Sequence, residues 1–147
     1  MNKNMKNSGP EITSNDIELL EKKYSIKIPS ELVAFLLKYN GGAPSPRDIN
    51  IPSLRGSPTD VQVFFGINRS ILSSNIDWNV ELLKSVVSDY QSDIPIACDS
   101  GGGIYAISPT RNNPTEVIYI DTTSVPVLTH LASNSFDEFL LRVTSNL

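Results

Sequence analysis

Histidine and cysteine are nearly missing from this 147-residue chain: His130 and Cys98 are the single examples of each. One of each cannot supply the nitrogen and sulfur ligands of an ordinary zinc site. A lone cysteine also rules out an internal disulfide and leaves an oxidising compartment unsupported. Long apolar runs are missing too. The longest largely apolar stretch, Val61 to Ile67, is far short of the ~20 residues a membrane span needs. Residues 1–10 carry Lys3 and Lys6 but no apolar segment, so no secretory leader is expected. Ten prolines and eight glycines exclude a collagen-like or low-complexity chain. These absences describe a soluble cytoplasmic protein of one domain, with no membrane partner.

What is present suffices for a core. At 16.1 kDa, area scaling gives a folded surface of roughly 7,400 Å² and removes about two-thirds of the extended chain's surface. Charge is uneven. Lysine and arginine number 12 and the acids 16, a net of −4. Residues 1–10 hold two of the bases and no acid, so residues 11–147 carry 16 acids against 10 bases, a net of −6. Within residues 77–99, five acids (Asp77, Glu81, Asp89, Asp93, Asp99) accompany one base, Lys84. Such a surface repels phosphate backbones and argues against direct nucleic-acid binding, while it attracts a basic partner. The plainer alternative is a solvated acidic face that only maintains solubility.

Residues 1–10 read as a disordered tail, and residues 11–147 as one domain. Thr13 and Asp16 have capping-box spacing, and Ile17, Leu20 and Tyr24 then recur on one helical face. A second helix starts at Pro29 or Ser30, buries Leu32, Phe35, Leu36 and Tyr39, and ends at Asn40-Gly41-Gly42. The prolines between residues 43 and 60 forbid a long regular element, leaving room for a short extended piece at 49–51. Residues 61–67 are a strand candidate. Ser74 and Asp77 repeat the capping spacing before a helix over 77–90, on which Trp78, Leu82 and Val86 share a face. Residues 94–98 and 104–108 form a hairpin around Asp99-Ser100-Gly101-Gly102-Gly103. A turn with Arg111, Asn112 and Asn113 at its tip leads to a strand over 115–121. Residues 125–131 add an edge strand, since Pro126 is unsuited to a central one. Ser135 and Glu138 open a closing helix bearing Phe136, Phe139, Leu140 and Val143. The expected fold class is α+β: a mostly antiparallel central sheet with two N-terminal helices, a middle helix and a C-terminal helix.

Catalytic chemistry finds little support. His130 lies near a strand end with no acid or nucleophile that sequence can place beside it. Cys98 sits in an apolar strand next to Asp99, the wrong charge for a reactive thiolate. The glycines at 101–103 lack the lysine and the following helix of a phosphate-binding loop. Asp60, Asp99 and Asp121 do not form a calcium-loop pattern. Trp78, at a helix start in the acidic stretch, is either a half-buried anchor or an interface centre.

In order, Ile17-Glu18-Leu19-Leu20-Glu21, Ile28-Pro29, Phe35-Leu36 and Asn40-Gly41-Gly42 resemble the N-terminal half of the SUKH superfamily, also called SMI/KNR-type domains. Ile94-Pro95-Ile96-Ala97 with Asp99 and glycines 101–103 is similar to that family's core hairpin. Val117-Ile118-Tyr119-Ile120-Asp121 is similar to the following strand, and Ser135-Phe136-Asp137-Glu138-Phe139-Leu140 to its closing helix. Gly103 stands where many members carry Asn, and residues 43–91 match only loosely. The resemblance implies an α+β domain without catalytic residues; the residues themselves suggest no cofactor and no metal. Many bacterial members are immunity proteins of polymorphic-toxin or contact-dependent inhibition systems, which bind a cognate toxin domain, often a nuclease, and block it. Others are regulatory interaction modules, the alternative expectation here. Charge, not the family, nominates the partner-binding residues: Asp77, Trp78, Glu81, Asp89, Asp93 and Asp99, facing a basic toxin.

Overall fold

The computed structural model describes residues 4–110 and 113–145. Arg111 and Asn112, expected at a turn tip, lie outside the described residues.

The described residues begin with a strand, β1 (Asn4–Lys6), where the sequence suggests a disordered tail. α1 (Ser14–Tyr24) starts as its capping spacing predicts: the Asp16 carboxylate accepts the Thr13 N–H at 2.8 Å. Ile17 and Leu20 turn inward. Past the helix end, Glu21 accepts the Ile28 N–H at 2.8 Å and so sets the approach to α2 (Ser30–Tyr39). Leu32, Phe35 and Leu36 are the buried face of α2. β2 (Ala43–Ser45) follows and pairs antiparallel with β1, Met5 opposite Pro44. The physical reason for that ordering is visible at Gly42. A Cβ there would stand 2.6 Å from the Met5 side chain, which is partly buried against the core.

β3 (Asp48–Ile49) and β4 (Thr59–Asp60) form a second small antiparallel pair. The strand expected over 61–67 shrinks to β5 (Val63–Phe64). Phe64 exchanges both backbone bonds with Gly42, at 2.7 and 3.1 Å, while Gln62 and Phe65 donate to Cys98 and Ile96 on the other side. After a 3-10 turn at Leu72–Ser74 comes α3 (Ile76–Val86), which ends four residues earlier than expected. Its N-cap is Asn75, and Asp77 accepts the N–H of its neighbour Trp78. The helix yields after Val86, where two β-branched valines stand in succession and Tyr90 fastens the return. The Tyr90 N–H bonds the Val87 carbonyl at 3.1 Å and its hydroxyl the Asp93 carbonyl at 2.7 Å.

β6 (Ile94–Cys98), β7 (Ile104–Ile107), β8 (Val117–Asp121) and β9 (Leu128–Ser133) complete the sheet, and α4 (Phe136–Ser145) closes the chain. The order β5-β6-β7-β8-β9 is antiparallel throughout. The α+β class therefore holds as expected, and β9 is the edge strand.

Register places Phe64, Ala97, Tyr105, Tyr119 and His130 opposite one another across the five strands. On that face Tyr105 meets Phe139 of α4 at a ring separation of 5.0 Å. Phe64 meets Phe35 of α2 at 4.9 Å, and Phe35 meets Phe136 at 5.2 Å. Four elements, α2, β5, β7 and α4, are thus joined by one aromatic cluster, whose members each contribute roughly 1.5–3 kcal/mol by burial.

A buried polar side chain at the centre of this junction is Asn40, only 2% exposed. It caps α2 in the left-handed conformation (φ 52°). Its Nδ2 donates to the carbonyls of Pro10 and Ile67, each at 2.8 Å, and its Oδ1 accepts the Ile67 N–H at 2.8 Å. Its own carbonyl accepts the Gly9 N–H at 3.1 Å. Gly9 and Gly66 crowd so close that a Cβ on either would strike Asn40. Gly41 has φ +83°, with the Phe64 carbonyl 2.6 Å from where a Cβ would stand.

Two substitutions test this arrangement by urea denaturation. Asn40→Asp, which replaces a donor by an acceptor facing two carbonyls, is expected to cost about 2–4 kcal/mol. Gly41→Val is expected to cost at least about 2 kcal/mol, from positive φ and the clash together. An unchanged midpoint in either would show that the junction bears no weight.

Candidate functional site

The loop between β5 and α3 is held from several sides. The Asn75 side chain accepts the Arg69 N–H at 2.8 Å and donates to the Arg69 carbonyl at 3.0 Å. Asn79, buried on α3, donates to the Ser73 and Asn75 carbonyls. Gly66 bonds Ser74 and Ile76 through its backbone. Fixed at both ends, the loop presents Ile71 and Leu72, which are 66% and 70% exposed. Leu72 shares a hollow of about 500 Å³ with Tyr24, Arg69, Asp77, Trp78 and Glu81.

Trp78 is 43% exposed. The buried side of α3 consists of Ile76, Asn79, Val80 and Leu83, so the face shared by Trp78, Leu82 and Val86 is not the helix's core face. Trp78 and Val86 are both exposed, about 12 Å apart along the helix, while Leu82 between them is partly buried against the core.

The charge around Trp78 differs from the linear count. Asp77 pairs with Lys23 of α1 at 3.9 Å, and Glu81 with Lys84 at 3.5 Å. Both lysines also stand over the Tyr24 ring, at 5.3 and 5.1 Å. Burial first, then Glu81 and Asp77, push the Tyr24 phenol up to about 12. Arg69 adds a third cation. Burial lowers its pKa, and it donates to the Phe64 and Asn7 carbonyls. Each carboxylate beside Trp78 therefore already has a lysine. Exposed pairs of this kind add at most about 1 kcal/mol, but they cancel the local field.

The other nominated acids lie elsewhere. Asp89 and Asp93 border a separate groove of about 860 Å³, between the Val86–Asp93 return and the β8–β9 connection. Asp99 is withdrawn from the surface, being 4% exposed. One oxygen accepts the N–H groups of Gly101 and Gly103 at 3.1 and 2.7 Å. The other accepts the hydroxyls of Thr59 and Tyr119 at 2.8 and 2.6 Å. All four donors are internal, so Asp99 organises the hairpin turn and offers nothing to a partner. An Asp preceding a glycine run is itself an Asx-turn signal. Gly103 is required because the Tyr119 ring occupies the space its side chain would fill. The positive φ of this turn belongs to Gly102.

Ile71 and Leu72 escaped the sequence reading because two adjacent aliphatics between serines match neither helical nor strand periodicity. His130 Nδ1 lies 2.8 Å from the Ser53 hydroxyl on the surface, and the ring forms no ion pair with a carboxylate among the described residues. No group of three or more His, Cys, Asp or Glu that could hold a metal occurs among the described residues. No described helix is long and apolar enough to cross a membrane.

An antiparallel sheet flanked by helices, with exposed aliphatic and aromatic side chains inside a charged rim, defines the class: a small α+β domain. The particular family follows from the sequence. Residues 11–142 match the model of the SMI1 / KNR4 family (SUKH-1), and the chain belongs to that family. No curated protein and no solved structure matches it. The family is generally non-catalytic, and membership accords with an immunity or protein-interaction module.

The interior tyrosines and Cys98 give a pH signature. Burial foremost, then Asp99, push the Cys98 thiol from 9.0 up to about 11. Burial and Asp99 also raise Tyr119 and Tyr105 well above the usual 10.0. In each case the unfolded chain gives up its proton at lower pH than the folded one. Stability from these groups is full below pH 9 and falls as pH rises, first through the thiol window of 9 to 11 and then beyond 10 for the phenols. Thermal melts between pH 7 and 11 should show that decline. Cys98→Ala should flatten its first part.

Proposed function

We propose that this protein is an immunity protein that binds a cognate toxin domain in the cytoplasm and neutralises it by occlusion. The observation that carries the reading is the exposure of Ile71, Leu72 and Trp78 on a loop and helix start fixed by their own hydrogen bonds. Apolar side chains held ready in this way lose little conformational freedom on docking, which is where binding energy concentrates. Asp77 and Glu81 with their lysines form a polar rim. A standard interface takes roughly 800 Å² from each partner. That is about a tenth of the 7750 Å² surface here.

A basic toxin, a nuclease among them, fits the net charge of −4. Unpaired acids away from the platform would steer it, since the acids beside Trp78 are already matched. Steering acts on association, whereas the buried aromatic acts on dissociation.

The test is binding kinetics and growth protection against candidate toxin domains encoded by neighbouring genes. The double variant Leu72→Ala, Trp78→Ala, shown folded by circular dichroism, is expected to dissociate about 100-fold faster, in line with two hot-spot residues. His130→Ala and Cys98→Ala should protect as well as the parent. A parent protein that neither binds nor protects would point to the regulatory role open to other members of the family. Tight binding by the double variant would move the interface off this face.

A further inference from the structure

We propose a second docking site: the groove between the Val86–Asp93 return and the β8–β9 connection takes an extended, lysine- or arginine-bearing segment of a partner protein. This rests on the protein-binding reading but not on the partner being a toxin.

The groove differs from the hollow beside Trp78 in its charge. Asp89 and Asp93 line it, and no lysine, arginine or histidine among the described lining residues faces them. Neither carboxylate forms an ion pair among the described residues. At the other surface, Lys23 and Lys84 have already taken the places a basic partner would occupy. Charge complementarity therefore assigns the cationic segment to this groove.

The walls suit an extended chain. Val86 and Val125 of the lining are exposed, Val125 at 98%. Aliphatic stems of lysine or arginine can lie along such valines while their heads reach the carboxylates. Both walls are set before any partner arrives. Tyr90 ties one through Val87 and Asp93. Ser124 ties the other, accepting the Leu128 N–H at 2.9 Å and donating to the Asp121 carbonyl at 2.9 Å. A preformed trough spares the ordering cost on its own side. Trp78 and Val86 are both exposed on α3, so one partner can engage the platform and thread its basic segment into the groove.

The probe is a labelled hexapeptide of alternating lysine and valine, with glutamate replacing lysine in the control. Binding is followed by fluorescence anisotropy and by amide chemical shifts on the full chain. Shifts are expected over residues 87–93 and 122–129, with Ile71, Leu72 and Trp78 unmoved. Asp89→Asn with Asp93→Asn should weaken the lysine peptide at least about fivefold, and raising salt from 50 to 300 mM should do likewise. Val125→Lys places a cation on a fully exposed rim position without risk to the fold, and should weaken it about threefold or more. Asp77→Asn with Glu81→Gln should change little. The proposal fails if the lysine peptide does not bind or is indifferent to both groove variants. It fails equally if the glutamate peptide binds as well. Self-association through the groove, seen as a doubled mass that Asp89→Asn with Asp93→Asn abolishes, would replace it. These outcomes are independent of toxin protection, so the two readings can fail separately.

Discussion

Asn40 is the constraint on which the rest depends. Its side chain is short and neutral, with one acceptor and two donors, and every one of them is used inside the fold. It ends α2, anchors the backbone at Pro10 and begins the loop after β5. That loop carries Ile71 and Leu72, so the candidate platform is built outward from a helix cap. An aspartate would keep the cap but lose both donors, and an alanine would leave buried carbonyls without partners. Glycines at 9, 41 and 66 are the steric counterpart, since the Asn40–Phe64 junction leaves no space for a Cβ on any of them. The aromatic cluster then seals this junction to the sheet and α4. Helix pair, sheet and closing helix thus act as one cooperative unit.

Electrostatics divides the surface in two. Five acids within 23 residues suggest one acidic face when counted along the chain. The fold sends them to three places: beside Trp78 with lysines, into the hairpin interior, and along an open groove. Lys23 comes from α1, more than fifty residues before Asp77, and no local count includes it. Asp99 shows the converse. Its charge is fully spent on internal donors, which fixes the turn and sets the tyrosines on β7 and β8. The two surfaces accordingly differ: an apolar one whose charges are balanced, and a groove whose charges are not.

Much of the fold could be read locally. The Thr13, Pro29, Asn40 and Ser135 boundaries depend on short-range bonding between neighbours, and each appears where its residue type demands. The hairpin at residues 99–103 and the closing helix are of the same kind. The platform was half legible. Trp78 with Asp77 and Glu81 was nominated for charge, but the observation supporting the surface is the exposure of Ile71 and Leu72, which no periodic pattern marks.

The sequence by itself determined the caps at Thr13, Pro29, Asn40 and Ser135, the hairpin turn at residues 99–103, the α+β class and the family. These follow from interactions spanning a few residues, or from an ordered string of motifs. Only the tertiary structure decided that Met5 pairs beside Pro44, that α3 turns Trp78 outward, that Asp77 meets Lys23 and that Asp99 is interior. Each of those depends on which distant segment arrives opposite, and a pairing across tens of residues leaves no local periodicity to read.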